Sequence, residues 1–365
     1  MNSQSLEIPC VLMRGGTSKG LYFLKSDLPE DTKDRDRVLL SLMGSPDPRQ
    51  IDGLGGAHPL TSKVAIISKS KRDGVDVDYL FLQVKVDKAE VSDGQNCGNI
   101  LAGVGSFAIE NGLVEADENE TEVCIHMVNS GAIAVATIKT PNKKVSYEGD
   151  EMIDGVPGCA AAVLLEFKKI EGSSCGSLLP TGNLIDEIDK IDVTCIDNGM
   201  PVVIIEAVKL GLTGCERPSN LESNTFLKNR LESIRLKAGR MMNLGDVTDK
   251  TVPKMTLVAP PQYGGIISTR SFIPQRVHEA IGVLGAASVA VACLLPGSVA
   301  NKIIKCTTFK KSTPLVIEHP TGSFSVEIDV VNENGEFKVN RSALLRTARK
   351  LMQGTAFVSL SKLSY

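Results

Sequence analysis

The chain has 365 residues, a net charge of −3 and 4% aromatic residues without tryptophan. This length favours two domains, and the slightly negative charge argues against a basic surface for nucleic acid or membrane lipid. The scarcity of aromatic rings also argues against a platform on which nucleotide bases stack.

Cysteine and histidine residues are scattered along the chain. The nine cysteines are an odd number and form no C-x-x-C pair, and the four histidines lie at positions 58, 126, 278 and 319. This distribution gives no support for a zinc or iron–sulfur site, so we predict that no metal is bound. The first residues, MNSQSLEIPC, lack the basic and apolar regions of a secretion signal. We therefore expect reduced thiols and a cytoplasmic protein.

Strand patterns dominate the sequence. Two short apolar stretches flank the glycine-rich turn RGGTSKG, and the stretches around NSG and PTGS are typical of hairpins. In chain order, the predicted strands are 8–13, 21–24, 77–86, 123–128, 132–138, 201–207, 254–259, 266–273 and the hairpin 315–331.

Fewer segments have a helical pattern. The predicted helices are 34–43, one that begins just after Cys97, 224–239, 278–295 and 342–352. The fourth lies in a charge-free stretch that Pro296 shortens below the roughly 20 residues of a membrane span. We interpret it as a helix buried in a soluble core, and we expect no membrane partner. Many strands with a few long helices indicate the α+β class.

The two halves of the chain share a pattern. In each half a short strand runs into a polar or glycine turn, and a polar tip later leads into a small-residue helix. We therefore predict two pseudo-symmetric domains, residues 1–184 and 185–352, each with strands wrapped around a central helix and with a cleft between them. Residues 353–365 form a C-terminal segment that could return to the first domain.

The motif Asn96-Cys97-Gly98-Asn99 stands at the predicted start of a helix. Free backbone N–H groups and the positive end of the helix dipole would favour a thiolate at Cys97 and would bind a ligand carboxylate. The two asparagines can form hydrogen bonds to the ligand, and Gly98 permits its close approach. The alternative is a buried structural cysteine, for which apolar neighbours are expected.

The residues Thr61-Ser62-Lys63 follow a loop rich in glycine and enter an apolar strand. A lysine at the start of a buried strand either extends back to water or is desolvated and can act as a base. On the residues alone, both interpretations of Lys63 stay open.

Two further groups could bind carboxylates. Thr17 and Ser18 lie in the turn RGGTSKG, which lacks the spacing of a phosphate loop but offers hydroxyl and N–H donors. A plain hairpin turn is the alternative there.

In the second half, Arg270 and Ser271 end a predicted strand, and an arginine can hold a carboxylate with two parallel hydrogen bonds. His278 is predicted at the second helix tip, in the place of the first half's cysteine. A surface arginine and a core histidine are the alternatives for these positions.

Joined motifs from about residue 8 to 358 resemble the 4-oxalomesaconate tautomerases, which belong with the 2-methylaconitate isomerases and methylitaconate delta-isomerases. The motifs are RGGTSKG, QIDGLGGAHPLTSKVAII, NCGNILAGVG, IDGVPG, TCIDNGMPVV, MNLGDV, RSFIPQRVHEAIGVLGA, EHPTG and RTARKLM. The resemblance implies the diaminopimelate-epimerase-like fold, in which two similar domains hold the active site in the cleft between them.

The resemblance also implies site residues. Members of the family catalyse cofactor-free proton transfers on unsaturated di- and tricarboxylates, and the family's lysine and cysteine match Lys63 and Cys97. Epimerases of this fold carry a second cysteine at the second helix tip, where this chain has Arg276-Val277-His278, so a two-cysteine racemase is not expected. The candidate substrate-binding residues are then Thr17, Ser18, Ser62, Asn96, Gly98, Asn99, Arg270, Ser271 and His278.

We therefore expect a keto–enol or allylic shift of one proton in 4-oxalomesaconate, in the degradation of gallate and other aromatic acids, without a cofactor. Lys63 would remove the proton and Cys97 would return it, or the reverse. The alternatives are isomerisation of 2-methylaconitate or methylitaconate, and a non-catalytic accessory protein that binds such acids or a partner dehydratase. No nucleic-acid partner is expected, and a homo-oligomer is compatible with the sequence.

Overall fold

The chain divides into two compact units. The computed structural model describes residues 5–168, 170–304, 314–333 and 335–359. Unit 1 contains Met1–Leu165 and Arg346–Tyr365, and unit 2 contains Glu166–Leu345. Both breaks lie upstream of the boundaries that we expected after residues 184 and 352. Part of the difference has a clear cause, since the backbone N–H groups of Ser174 and Cys175 donate to the Asp197 carboxylate and tie this loop to unit 2.

Unit 1 is built on a mixed sheet. Its strands are β1 (Ser5–Gly15), β2 (Ser18–Leu24), β3 (Lys63–Lys69), β4 (Val77–Val84), β5 (Val91–Ser92), β6 (Asn119–Met127) and β7 (Ala132–Thr140). Its helices are α1 (Thr32–Met43), α2 (Gly98–Leu101) and α3 (Val104–Glu110). β2 pairs antiparallel with β1 and parallel with β3, whereas β4 is antiparallel to β3 and parallel to β6. β7 follows beside β6, and the short β5 pairs with the end of β4.

Unit 2 repeats this order of elements. After β8 (Ala162–Lys168), its strands are β9 (Asp186–Ile188), β10 (Ile191–Asp197), β11 (Pro201–Glu206), β12 (Lys254–Ala259), β13 (Ile267–Ile273), β14 (Arg276–Val277), β15 (Leu315–His319) and β16 (Gly322–Glu333). Its helices are α4 (Pro218–Ser223), α5 (Thr225–Met241), α6 (Val283–Leu294) and α7 (Val299–Ile303). The pairings from β10 to β16 match those from β1 to β7, parallel and antiparallel in the same places. The internal repeat that the sequence indicates is therefore confirmed.

The two faces of the unit 1 sheet are covered by different helices. Side chains at alternate positions, such as Leu21, Val64 and Leu82, form one core with α1. The short helices α2 and α3 lie between β5 and β6 in the chain, and their apolar residues Ile100 and Phe107 are buried. In unit 2, α5 has the place of α1, and α6 is the buried apolar helix. Its described residues from 283 to 293 are all buried, as the sequence analysis predicts. Of the helices in the described ranges, none is long and apolar enough to cross a membrane.

The prediction of a last helix at residues 342–352 is wrong. These residues belong to the long strand β17 (Glu336–Ser359), which pairs with β16 and then with β1. Leucine, alanine and arginine favour a helix locally, but sheet pairing on both sides overrides that preference. As a consequence Arg346 is only 4% exposed, and burial lowers the pKa of its guanidinium to about 9.

Candidate active site

The turn of RGGTSKG contacts the motif NCGN directly. β1 and β2 form a hairpin in which Gly15 pairs with Ser18, so the turn consists of Gly16 and Thr17. The Asn99 side chain donates to the Thr17 hydroxyl at 3.1 Å and accepts from the Thr17 N–H at 3.4 Å. Gly16 has a φ of 51°, and a Cβ there would lie 2.1 Å from Asn99 Oδ1. Glycine is therefore required at this position, and the turn is more than a connection between strands.

Cys97 stands directly before a helix, as predicted. It is the N-cap residue of α2, and its thiol is half-buried. α2 has only four residues and is interrupted at Ala102 and Gly103 before α3 begins. The dipole of one helical turn is smaller than that of a long helix. The backbone N–H groups at this tip are still available as hydrogen-bond donors.

Two buried tyrosines hold the backbone of the helix tip. The Tyr79 hydroxyl donates to the carbonyl oxygen of Cys97 at 3.2 Å, and the Tyr22 hydroxyl donates to that of Ile100 at 2.5 Å. Both tyrosines are fully buried, and burial together with the nearby Cys97 raises the pKa of each phenol well above its usual value. Both phenols therefore stay protonated and act as hydrogen-bond donors.

Lys63 is buried and has a polar partner. It is the first residue of β3 and is 6% exposed. Its Nζ atom donates to Gln83 Oε1 at 2.8 Å and lies 5.0 Å from the centre of the Phe81 ring. The role of Lys63 as a base stays a prediction.

The Lys63 side chain and the backbone of Cys97 lie on the same face of the unit 1 sheet. Side chains alternate along β4, so Tyr79, Phe81 and Gln83 share the face opposite to α1. Phe81 and Gln83 contact the Lys63 amine, and the Tyr79 hydroxyl contacts the Cys97 backbone. One strand therefore connects the two candidate catalytic residues.

Other predicted residues of unit 1 differ in what they offer a ligand. The Ser62 hydroxyl is fully buried and donates to Gln50 Oε1 at 2.7 Å, which holds the preceding loop. By contrast, Ser18 Oγ and Asn96 Oδ1 are buried and have no hydrogen-bond partner within the described residues. Buried polar atoms normally find partners, so these two atoms are available to a polar ligand. Gly98 is buried at the start of α2.

The position of His278 differs from the prediction. The second buried helix begins at Val283, with Gly282 as its N-cap, five residues later than the sequence pattern indicates. The loop from β14 to α6 has the same length as the loop from β5 to α2, so Gly282 is the counterpart of Cys97. His278 lies near the start of that loop. It was assigned to the helix tip because nothing in the local sequence distinguishes residues 278–282 from a first helical turn.

The remaining unit 2 candidates lie on β13. Arg270 donates from Nε to Glu216 O at 2.8 Å and from Nη1 to Thr269 O at 2.8 Å, and burial lowers the pKa of its guanidinium. Ser271 points to the opposite face of the strand, where its hydroxyl lies 3.0 Å from that of Thr256. The structure therefore does not bring the side chains of Arg270 and Ser271 together.

Ser271 and His278 are joined through their backbones. The His278 N–H donates to the Ser271 carbonyl at 2.8 Å, and the imidazole Nδ1 accepts from the Ala280 N–H at 2.9 Å. The imidazole therefore carries its proton on Nε2 when neutral.

Sequence reasoning missed three residues of the unit 1 site. Tyr22, Tyr79 and Gln83 hold the candidate catalytic groups, although none stands in a recognisable motif. A glutamine within the apolar run VDYLFLQVKV was the one available signal. In the described part of the chain, no group of three or more His, Cys, Asp and Glu side chains could hold a metal ion.

Comparisons with known proteins cover nearly the whole chain. The model of the PrpF protein family matches residues 5–359. The (4E)-oxalomesaconate Delta-isomerase of Novosphingobium sp. (strain KA1) is 59% identical over 96% of this chain and 97% of its own length. The 4-oxalomesaconate tautomerase of Pseudomonas putida (strain KT2440) is 57% identical over 96% of either chain. A solved methylitaconate delta-isomerase has a TM-score of 0.83 at 37% identity, covering 100% of this chain and 98% of that one.

Proposed function

Since the chain belongs to the PrpF protein family and is an isomerase with the diaminopimelate-epimerase-like fold, we propose that it moves one proton and one double bond within 4-oxalomesaconate. The two relatives named for this compound are more than half identical to the chain. Relatives named as isomerases match over nearly the full length, so the alternative of a non-catalytic accessory protein has lost its support.

The placement of the Lys63 side chain and the backbone of Cys97 on one face of the same sheet carries this proposal. A 1,3-proton shift needs one group that removes a proton from carbon and another that delivers a proton at a different atom. A buried amine and a half-buried thiol connected by a single strand supply such a pair. Each general acid or base typically contributes roughly 10²- to 10⁴-fold to the rate.

In the proposed reaction, neutral Lys63 removes a proton from a carbon next to a carbonyl or a conjugated carboxylate. The electron pair of the broken C–H bond spreads into a dienolate, and the Cys97 thiol donates its proton at the other end of the conjugated system. The double bond has then moved, and proton transfer from the ammonium to the thiolate restores both groups. The reverse direction exchanges the roles of the two residues.

The substrate carboxylates need hydrogen-bond donors. The buried Ser18 hydroxyl can donate to a ligand, and the Thr17 hydroxyl keeps its hydrogen for a ligand because its oxygen accepts from Asn99. Asn96 can donate through its amide NH₂ group, since its buried Oδ1 only accepts. The N–H of Gly98 at the helix tip is a further donor. We propose these groups as the ligands of the reacting half of the substrate. Ser62 has a supporting role in this account, because its hydroxyl is engaged by Gln50.

Arg270, Ser271 and His278 remain candidate carboxylate ligands because their side chains can donate hydrogen bonds to a carboxylate. Acid–base chemistry at an activated C–H bond can proceed without a metal or organic cofactor, and we propose that none takes part. Dialysis against a strong chelator should then leave turnover unchanged, and a loss restored by one specific metal ion would contradict this. A small di- or tricarboxylate is the proposed partner, and the cytoplasm is the proposed compartment.

The substrate assignment is tested by a comparison of three acids. The purified protein is incubated with 4-oxalomesaconate, 2-methylaconitate and methylitaconate in D₂O, and proton NMR follows the double bond and the exchange of carbon-bound protons. We expect kcat/KM for 4-oxalomesaconate to exceed the other two by about 10²-fold or more, since the wrong acid forfeits contacts of the site.

The second candidate is isomerisation of methylitaconate. The solved methylitaconate delta-isomerase shares the fold over the whole chain, which favours this reaction as the alternative. A higher kcat/KM for methylitaconate or 2-methylaconitate would replace the proposed substrate and leave the proton-shift chemistry in place.

A further inference from the structure

We propose that Gln83 is a positioning residue for Lys63: its amide holds the amine so that the nitrogen lone pair can take the substrate proton. The inference rests on the proposed role of Lys63 as the base and deepens it. Gln83 has no assigned role and stands in none of the motifs that identify the family.

The two residues are partners in the sheet. Lys63 and Gln83 are paired across β3 and β4, and Lys63 Nζ donates to Gln83 Oε1 at 2.8 Å. Residues directly opposite each other in antiparallel strands have side chains on the same face. Because Lys63 is only 6% exposed, this bond is a main restraint on its amine.

The orientation of the Gln83 amide is determined by its other partners. Its Nε2 lies within hydrogen-bond distance of three backbone carbonyl oxygens, those of Pro59 at 3.1 Å, Ser62 at 3.0 Å and Val84 at 3.3 Å. Carbonyl oxygens only accept, so the NH₂ group must face them and Oε1 must face the lysine. The same amide therefore anchors the loop that leads into β3 and presents an acceptor to Lys63.

The Phe81 ring occupies a second side of the amine. It is fully buried, and its centre lies 5.0 Å from Lys63 Nζ, which suits a cation–π contact with the ammonium. An amine that has given up one proton still has two N–H groups. It can keep its bond to Gln83 while the lone pair points away from both Gln83 and the ring. The geometry thus orients the base without using its reactive electron pair.

Positioning through a hydrogen bond makes the pH dependence of the reaction sensitive to Gln83. Replacement by an isosteric apolar residue, Gln83→Met, removes an acceptor that favours the ammonium form. The acid limb of the kcat/KM profile should then move to lower pH. Gln83→Glu places a carboxylate beside the amine, favours the ammonium and should move the same limb to higher pH. We expect shifts of about one pH unit in opposite directions.

Turnover at saturation should fall in both variants. A misplaced base costs on the order of 10- to 100-fold in kcat, whereas KM should change little because Gln83 does not bind the substrate. A third variant, Gln83→Asn, keeps the amide but is one methylene shorter, so it should lower kcat and move the acid limb in the direction of Gln83→Met. If the methionine variant folds poorly, Gln83→Asn can be measured in its place.

The experiment measures kcat and kcat/KM against pH with 4-oxalomesaconate for these three variants and the unaltered protein. Gln353→Glu, at an exposed position of β17, is the control for an added carboxylate, and circular dichroism checks folding. Opposite shifts of the acid limb support the inference. If the acid limb of the kcat/KM profile stays at the same pH in folded variants, the inference is overturned and Gln83 has only a structural role.

Lys63→Ala is assayed in parallel. Full turnover of Lys63→Ala would show that Lys63 is not the base. An inactive Lys63→Ala protein, together with an unchanged acid limb in the Gln83 variants, would overturn only the role of Gln83.

Discussion

The hydroxyl of Tyr79 donates a hydrogen bond to the carbonyl oxygen of Cys97 at 3.2 Å. The two residues are 18 positions apart in the chain, one inside β4 and one at the start of α2. Because Tyr79 is fully buried and protonated, the bond ties the backbone of the candidate catalytic cysteine to a rigid strand. The same strand carries the two contacts of the Lys63 amine, so displacement of β4 would affect both groups.

Replacement of Tyr79 by phenylalanine should loosen Cys97 without removing the ring. The Cys97 carbonyl would lose a buried donor, which costs roughly 1–3 kcal/mol in the free energy of unfolding. Turnover should fall by about 10-fold because the thiol is less well placed. Tyr147→Phe, which removes a hydroxyl bonded to Glu110, is the matched control. Equal kinetic effects in the two variants, measured as kcat, would show that the Tyr79 bond has no special role.

Gly20 permits the close approach of β2 to Lys63. A Cβ at this position would lie 2.4 Å from the Lys63 carbonyl oxygen and 3.2 Å from the Lys63 Cβ. Gly20→Ala should therefore displace the start of β3, with an overpacking cost of about 1–3 kcal/mol and a loss of turnover. Gly354→Ala, where nothing lies within 4 Å of the added Cβ, should leave both stability and turnover near normal. Thermal unfolding and steady-state kinetics on both variants check this, and an active, stable Gly20→Ala protein would speak against a tight β2–β3 contact.

Arg270→Lys should affect binding more than chemistry. The substitution keeps the charge but loses the planar fork, and lysine cannot reproduce the bonds to the carbonyls of Glu216 and Thr269 together. Substrate binding should weaken by at most about 3 kcal/mol, as expected for one charge-assisted contact, while kcat changes less than in Lys63→Ala. KM and kcat are measured together, with Arg276→Lys at an exposed position as the control. Loss of kcat at unchanged KM would instead assign Arg270 to the chemistry.

Asp197 makes the stability of unit 2 depend on pH. The residue is fully buried, and burial raises the pKa of its carboxyl although the N–H groups of Ser174 and Cys175 oppose the shift. A raised pKa in the folded state means that the folded protein binds the proton more tightly than the unfolded chain. The stabilisation is present below the unfolded pKa of about 3.9 and is lost as the pH rises through the folded value.

The variant Asp197→Asn should remove this pH dependence, because the amide has a similar shape and carries no charge. Relative to the unaltered protein, the variant should gain stability as the pH rises from about 4 towards neutrality. Thermal unfolding at a series of pH values gives both curves. Parallel curves would mean that Asp197 does not titrate in this range.

Local motifs were sufficient to locate the ends of the elements that carry Lys63 and Cys97. Each residue stands at a change of pattern, from a glycine-rich loop to an apolar strand and from a polar tip to a small-residue helix. Gln83 and Tyr79 were missed because their roles depend on the register of β3 with β4 and on a contact with a helix further along the chain. Neither is encoded in the residues beside them.

The errors of the sequence analysis have the same origin. Residues 342–352 favour a helix by composition, and only their pairing with β16 and β1 makes them a strand. His278 was assigned to a helix tip because nothing in the local sequence distinguishes the loop 278–282 from a first helical turn. The pairing of this strand with β1 depends on residues that lie far away in the chain.

The role of Lys63 is tested most directly by proton exchange in D₂O with 4-oxalomesaconate. Proton NMR measures the rate at which the Lys63→Ala protein replaces the carbon-bound proton with deuterium, and Lys69→Ala at the exposed end of the same strand is the control. We predict that Lys63→Ala slows exchange and turnover together by at least about 10²-fold, that Cys97→Ser loses less because water can partly replace an acid, and that the control is unaffected. Exchange at the normal rate in folded Lys63→Ala protein would contradict the assignment of Lys63 as the base.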